Sequence, residues 1–362
     1  MKKNEKLCAR RKTSIGGQAL MEGIMMRGPK KAAMAVRRPN GQIFFEEEEI
    51  QKKKRPAFCR WPIIRGVFGF VDSMVMGYKY LMRSAEISCE EVPEEKPADP
   101  GQICEGAEAV KGAENGQEIV QEKAQEPQSM FGKGTMAAIM VIATVLGILL
   151  AVGLFVWLPT FLYSLIAGAL PESWALGENR YLRSVFEGIL KVAILVLYMA
   201  LVSLMKDIRR TFMYHGAEHK TIFCYEHGKP LTVENVMQQR RFHPRCGTSF
   251  LILMLIVSIV IGLFIPAQFG TLGKLANTLV RAAIKLLLIP LTMGVGYELL
   301  KLAGRHDNIL TRIISAPGMW LQRITVREPS ADMVECAIKA FIAVLPDEER
   351  EAELAAAEDR TE

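Results

Sequence analysis

Four long apolar runs constrain this chain more than any other feature. They cover residues 136–166, 185–205, 249–269 and 279–304. A helix needs about 20 predominantly apolar residues to cross the hydrocarbon core of a bilayer, and each run supplies roughly that. The charges they carry, Glu187 and Lys191 in the second and Arg281, Lys285 and Glu298 in the fourth, lie toward their ends. The pattern predicts a mainly α fold built on a four-helix transmembrane domain over residues 135–304. Charged residues make up 23% of the chain, so the apolar half of the composition is gathered into blocks rather than spread as short stripes.

Orientation follows from Lys and Arg beside the runs. The loop 206–248 holds Lys206, Arg209, Arg210, Lys220, Lys229, Arg240, Arg241 and Arg245, whereas the other two connections hold only Arg180, Arg183 and Lys274. Cytoplasmic loops carry the excess of basic residues. The expectation is a multi-pass protein of the inner (plasma) membrane with a cytoplasmic 206–248 loop and both termini cytoplasmic. The N-terminal "MKKNEKLCARRKTS" has no apolar core or cleavage site and does not read as a secretory signal.

Residues 1–60 read as a cytoplasmic β-rich unit, because "AMAVRRPNGQIFFEEEE" alternates apolar and polar residues about a Pro-Asn-Gly turn. Residues 61–88 are amphipathic at helical spacing and read as an interfacial helix. Residues 89–134 are rich in Glu, Pro, Gly, Ala and Gln, the composition of a disordered acidic linker. Residues 305–346 read as an ordered cytoplasmic segment and 347–362 as a flexible tail. The seven scattered cysteines form no Cys-x-x-Cys pair, which argues against a disulfide framework or zinc ribbon. The net charge of +6 comes with no nucleic-acid-binding motif, and no glycine pattern supports a nucleotide site, so neither is expected as a partner. The expected partners are the bilayer and an unidentified protein partner or substrate.

The cytoplasmic loop contains "YHGAEHKTIFCYEHGKP". His215 and His219 stand at i and i+4, which on a helix puts both imidazoles on one face, within reach of one divalent ion, with zinc the first choice. Glu218 occupies the His-x-x-Glu-His position of a general base toward water activated by a metal. Gly216 inside the motif weakens the helical reading. A mononuclear site needs a third ligand, for which "RFHPRCGTSF" offers His243 and Cys246. His227, Cys224, Glu22 and Glu298 are weaker alternatives. Bonds of ~2.0–2.3 Å demand that the two histidines converge with His243 or Cys246. Two other blocks, "SIGGQALMEGIMMRGP" and "SAPGMWLQRITVREPSADMVECAI", show glycine turns and charges without catalytic geometry.

Taken together, "GGQALMEGIMMRGP", "YHGAEHKTIFCYE" with "LTVENV" and "HPRCGTSFL", and "YELLKLAGR" with "PGMWLQRITVREP" resemble the YqhQ family of bacterial membrane proteins. The resemblance covers nearly the whole chain outside the acidic linker and the tails. It implies a predicted metal-dependent enzyme of unknown function and points to His215, Glu218, His219, His243 and Cys246. Val326 stands where the family pattern favours Thr. Two functional expectations follow. One is a metal-dependent hydrolase with Glu218 as catalytic base. The other is a non-enzymatic membrane scaffold or assembly factor whose His/Cys cluster is structural. A transporter fits less well, because ionisable groups on ion pathways sit nearer the midplane.

Overall fold

The computed structural model describes residues 13–51, 55–89, 133–169, 179–244, 246–266, 269–271, 273–305 and 308–358. The acidic linker read from the composition lies almost wholly outside the described residues, as do the ends of both tails.

The chain begins with an antiparallel meander, β1 (Gly16–Leu20), β2 (Gly23–Arg27), β3 (Lys31–Arg37) and β4 (Ile43–Glu49), in the order β1-β2-β3-β4. The Pro-Asn-Gly turn joins β3 to β4, with Gly41 at φ +84° and Val36 opposite Phe44. Alternation sends successive side chains to opposite faces, and here both faces of the inner strands are buried. Ile24, Met26, Ala33 and Ala35 point to one core, and Met25, Ala32, Met34 and Val36 to another.

Helix α1 (Ile64–Ser88) closes the second face through Tyr80 and Ile87. The chain then resumes with α2 (Lys133–Val152), a π-helical stretch (Gly153–Trp157), α3 (Leu158–Ala169) and α4 (Arg180–Val202). Beyond a short turn come α5 (Lys206–Glu226), α6 (Val233–Met237), α7 (Gly247–Gly262), α8 (Lys274–Leu287) and α9 (Ile289–Arg305). The last three are α10 (Ile309–Thr325), α11 (Ala331–Ala343) and α12 (Asp347–Glu358). The fold is therefore mainly helical with a small N-terminal sheet. Helices α5 and α11 cover the first sheet face, where Tyr214, Ala217, Met333, Ala337 and Phe341 share its core.

The four apolar runs do not become four equal spans. Two stretches are long and apolar enough to cross a membrane as single helices, Val141–Ala169 and Tyr181–Val202. The third run gives only the 16 residues of α7, about 24 Å of helix, because it ends in a turn ahead of Pro266. The fourth bends by 44° between Leu275–Leu287 and Ile289–Leu302. Pro290 explains the break, since its ring crowds the carbonyl four residues earlier and it lacks an N–H. Counting the bent pair as one gives three spans, and the expected four-helix transmembrane domain is correspondingly coarser. In the two single spans the large aliphatic side chains Ile142, Leu146, Leu149 and Ile189 are exposed, the pattern of a surface that faces lipid.

Candidate metal centre

Helix α5 supplies His215 and His219 one turn apart, with ring centroids 4.5 Å from each other. The N-cap of α7 supplies Cys246. Ligand atoms of these three residues lie within 4.8 Å of one another, and His215 Nε2 sits 3.1 Å from Cys246 Sγ. Tetrahedral zinc bonds place neighbouring N and S ligands about 3.3–3.6 Å apart, so the set closes on an ion with small side-chain adjustments.

Hydrogen bonds around the rings fix which nitrogen faces inward. His215 Nδ1 lies 3.0 Å from the Thr325 carbonyl and His219 Nδ1 2.6 Å from the Arg241 carbonyl. A carbonyl only accepts, so both rings carry their proton on Nδ1 and present the Nε2 lone pair to the cluster. Metal-ligating histidines are oriented by outer carbonyls in this way. His219 Nε2 is buried and has no hydrogen-bond partner among the described residues. A buried acceptor left unpaired is costly, and a cation is the partner that the position invites. Burial pulls the His219 pKa below its ordinary value, which keeps the ring neutral and able to ligate. Cys246 Sγ accepts from the Thr248 amide at 3.4 Å, at a helix N-terminus where the macrodipole favours a negative ligand.

Glu218 lies beside this set, turned toward the sheet. Its Oε1 accepts from the Gly17 amide at 2.9 Å, and burial raises its pKa against the opposing pull of His215 and of that hydrogen bond. Glu218, His219, His243 and Cys246 all line a cavity of 710 Å³ bounded on the far side by β1 and by Tyr297 and Lys301.

His243 lies apart from the cluster. Its ring centroid is 5.7 Å from that of His219, and its Nε2 lies 3.6 Å from Glu226 Oε2. The backbone of His243 is clamped by Gln322, whose Oε1 accepts from its amide at 2.9 Å and whose Nε2 donates to its carbonyl at 2.7 Å. Glu22 and Glu298 are drawn off by Arg210 and Arg65 respectively. His227 pairs with Gln239, and Cys224 faces the Pro230 carbonyl.

Sequence reasoning did not reach the third block's part in the centre. Thr325 orients His215, Gln322 holds the loop that carries Cys246, and Glu328 pairs with the buried Lys220 and with Arg241. Gly216 has a packing reason. A Cβ there would lie 2.0 Å from the Arg327 carbonyl oxygen, so the absent side chain lets the segment between α10 and α11 run against α5.

A mainly helical protein with two to three bilayer-length apolar helices, a four-stranded sheet and a His/Cys cluster between them is the class that fold and site define. The chain belongs to a family of proteins of unknown function, DUF1385, whose family model matches residues 61–347. It is 30% identical over 330 residues to "Uncharacterized protein YqhQ" of Bacillus subtilis (strain 168), covering 91% of each chain. No solved structure matches.

Proposed function

We propose that this protein is a multi-pass protein of the inner (plasma) membrane that holds a divalent ion, zinc first, at His215, His219 and Cys246. In this reading it hydrolyses a substrate at the cytoplasmic face. The observation that carries the proposal is the orientation of the rings: both Nδ1 atoms are committed to carbonyls, and His219 Nε2 is buried without a partner beside Cys246. An ion held there supplies a Lewis acid for water. The chain's own contribution is Glu218, a buried carboxyl one residue before His219, lining the same cavity and suited to take a proton. His243, paired with Glu226, is placed to orient groups in that cavity rather than to ligate.

The topology belongs to the same proposal. Runs 249–269 and 279–304 enter the bilayer as a short helix and a bent pair, giving four passes, with α5 and both termini on the cytoplasmic side, in accord with the basic 206–248 loop.

Elemental analysis of the purified protein tests the site. Wild type should carry close to one metal ion per chain, and His215→Ala and Cys246→Ser should lose it. Glu218→Gln should keep the ion yet fail to complement a strain lacking the gene. A wild-type protein that functions with no bound metal would overturn the reading. The second reading, a scaffold whose cluster is structural, is favoured by the Glu218–Gly17 hydrogen bond, which ties α5 to the sheet. Full complementation by metal-loaded Glu218→Gln selects it.

A further inference from the structure

The cavity against the metal centre carries positive charge that the hydrolysis step does not use. Arg27 at the end of β2 and Lys301 near the end of α9 both line it. Basic side chains around them are paired: Arg55 with Asp72, Arg65 with Glu298 and Arg210 with Glu22. Arg27 and Lys301 make no salt bridge among the described residues. Arg27 donates to Ser73 Oγ at 3.5 Å, and Glu298, one turn before Lys301, has both oxygens on Arg65. A basic residue at the cytoplasmic end of an apolar helix is expected from topology, but Arg27 stands on the sheet and has no such reason.

Glu218 is the one carboxylate among the described residues of the cavity wall, and its Oε1 accepts from the Gly17 amide. The start of α7 adds positive potential. Gly247 opens that helix and lines the cavity, and a Cβ there would meet nothing within 4 Å. The first N–H groups of a helix lack intrahelical acceptors, and the macrodipole favours an anion beside them. A guanidinium, an ammonium and a helix N-terminus, from β2, α9 and α7, therefore border one space beside His219 and Cys246. Ile15, Met25, Met76 and Leu300 supply an apolar wall. A carboxylate offers two oxygens in one plane. A phosphate ester offers oxygens in several directions with more charge, and suits cations that come from separate elements.

We infer that this cavity binds a phosphate ester, with Arg27 and Lys301 as its cationic contacts, so that the substrate class of the hydrolase is a phosphoester. The inference rests on the hydrolase reading of the same site. In the reaction the oxygen of water bonds to phosphorus and the ester P–O bond breaks. The proton taken up by Glu218 passes to the departing alkoxide, so ester and water give phosphate and alcohol.

The test is calorimetric binding to the full chain in a non-ionic detergent, metal-loaded and after chelator treatment. Benzylphosphonate, which has no ester bond to cleave, should bind both forms, and phenylacetate should bind neither comparably. Arg27→Met and Lys301→Met should each weaken benzylphosphonate binding about 10-fold, with the metal-to-protein ratio unchanged. Lys301→Arg should retain the affinity, and so should Lys229→Met, which lies outside the cavity. Competition by phosphatidic acid in mixed micelles against soluble glycerol phosphate tells whether the ester comes from a lipid or from solution. A chain without metal that still binds benzylphosphonate through Lys301 keeps the phosphate site and removes only the hydrolysis. Equal binding of phenylacetate, or undiminished binding in both Arg27→Met and Lys301→Met, would overturn the inference while leaving the metal centre intact.

Discussion

Gly216→Ala tests the architecture of the metal centre through the sign of its effect. In an unconstrained helix the change stabilises by about 1 kcal/mol, because alanine loses less backbone freedom than glycine. Here the new methyl would lie 2.0 Å from the Arg327 carbonyl oxygen, 3.2 Å from its carbon and 3.3 Å from Pro329 Cδ. Relief of the closest contact requires the 327–329 segment and α5 to part by about 1 Å, a forced backbone shift of the kind that costs about 1–3 kcal/mol or more. The segment is held to α5 by the Arg327 amide, which donates to the Phe212 carbonyl at 2.9 Å, and two residues earlier Thr325 orients His215. The expected net result is destabilisation by about 2 kcal/mol, a drop of about 3 °C in the unfolding midpoint for a chain of this length, together with weaker metal retention. Thermal unfolding and metal-to-protein ratio of the purified variant measure both. A midpoint that rises, with the metal retained, would refute the claim that this glycine admits the 327–329 segment.

Three further outcomes follow from other parts of the structure. Gln322→Leu removes both clamps on His243 and leaves a buried amide and carbonyl unpaired, costing about 2–4 kcal/mol; because it frees the loop bearing Cys246, metal affinity should fall about 10–100-fold in a chelator competition. Burial pushes the Cys224 and Cys336 thiols up to about 11, above the 9.0 of a free thiol. The folded chain then keeps protons that the unfolded chain releases, so their stabilising share is complete below about pH 9 and is lost as pH rises toward 11; Cys336→Ser should flatten that alkaline decline in a pH series of unfolding curves. Glu22→Gln removes a half-exposed ion pair with Arg210 and should change stability by less than about 1 kcal/mol, so a loss of metal in this variant would contradict the placement of Glu22 outside the centre.

Local pattern was enough to read several elements. The β3–β4 hairpin follows from alternation about Pro39-Asn40-Gly41, and the two single spans follow from length and apolarity alone. The i, i+4 spacing of His215 and His219 by itself places both rings on one face of α5. Run length overstated the other two spans, because it takes no account of where Pro266 and Pro290 interrupt the hydrogen-bond ladder. The third-ligand question stayed open for a related reason. His243 and Cys246 are three residues apart in one loop, and the Gln322 clamp and the cap of α7 accompany a thiol turned toward the histidines and an imidazole turned toward Glu226.

The sequence by itself determined which segments are apolar enough for a bilayer, where the sheet turns, and which short helix carries two histidines on one side, since these depend on neighbours a few residues away. The tertiary structure alone decided that Cys246 joins them, that the Thr325 and Arg241 carbonyls set both tautomers, and that Gly216 makes room for the 327–329 segment. The two hydrogen bonds to those carbonyls join residues 22 and 110 positions apart. Their geometry comes from helices and sheet packing on a shared core, which no spacing within one segment encodes.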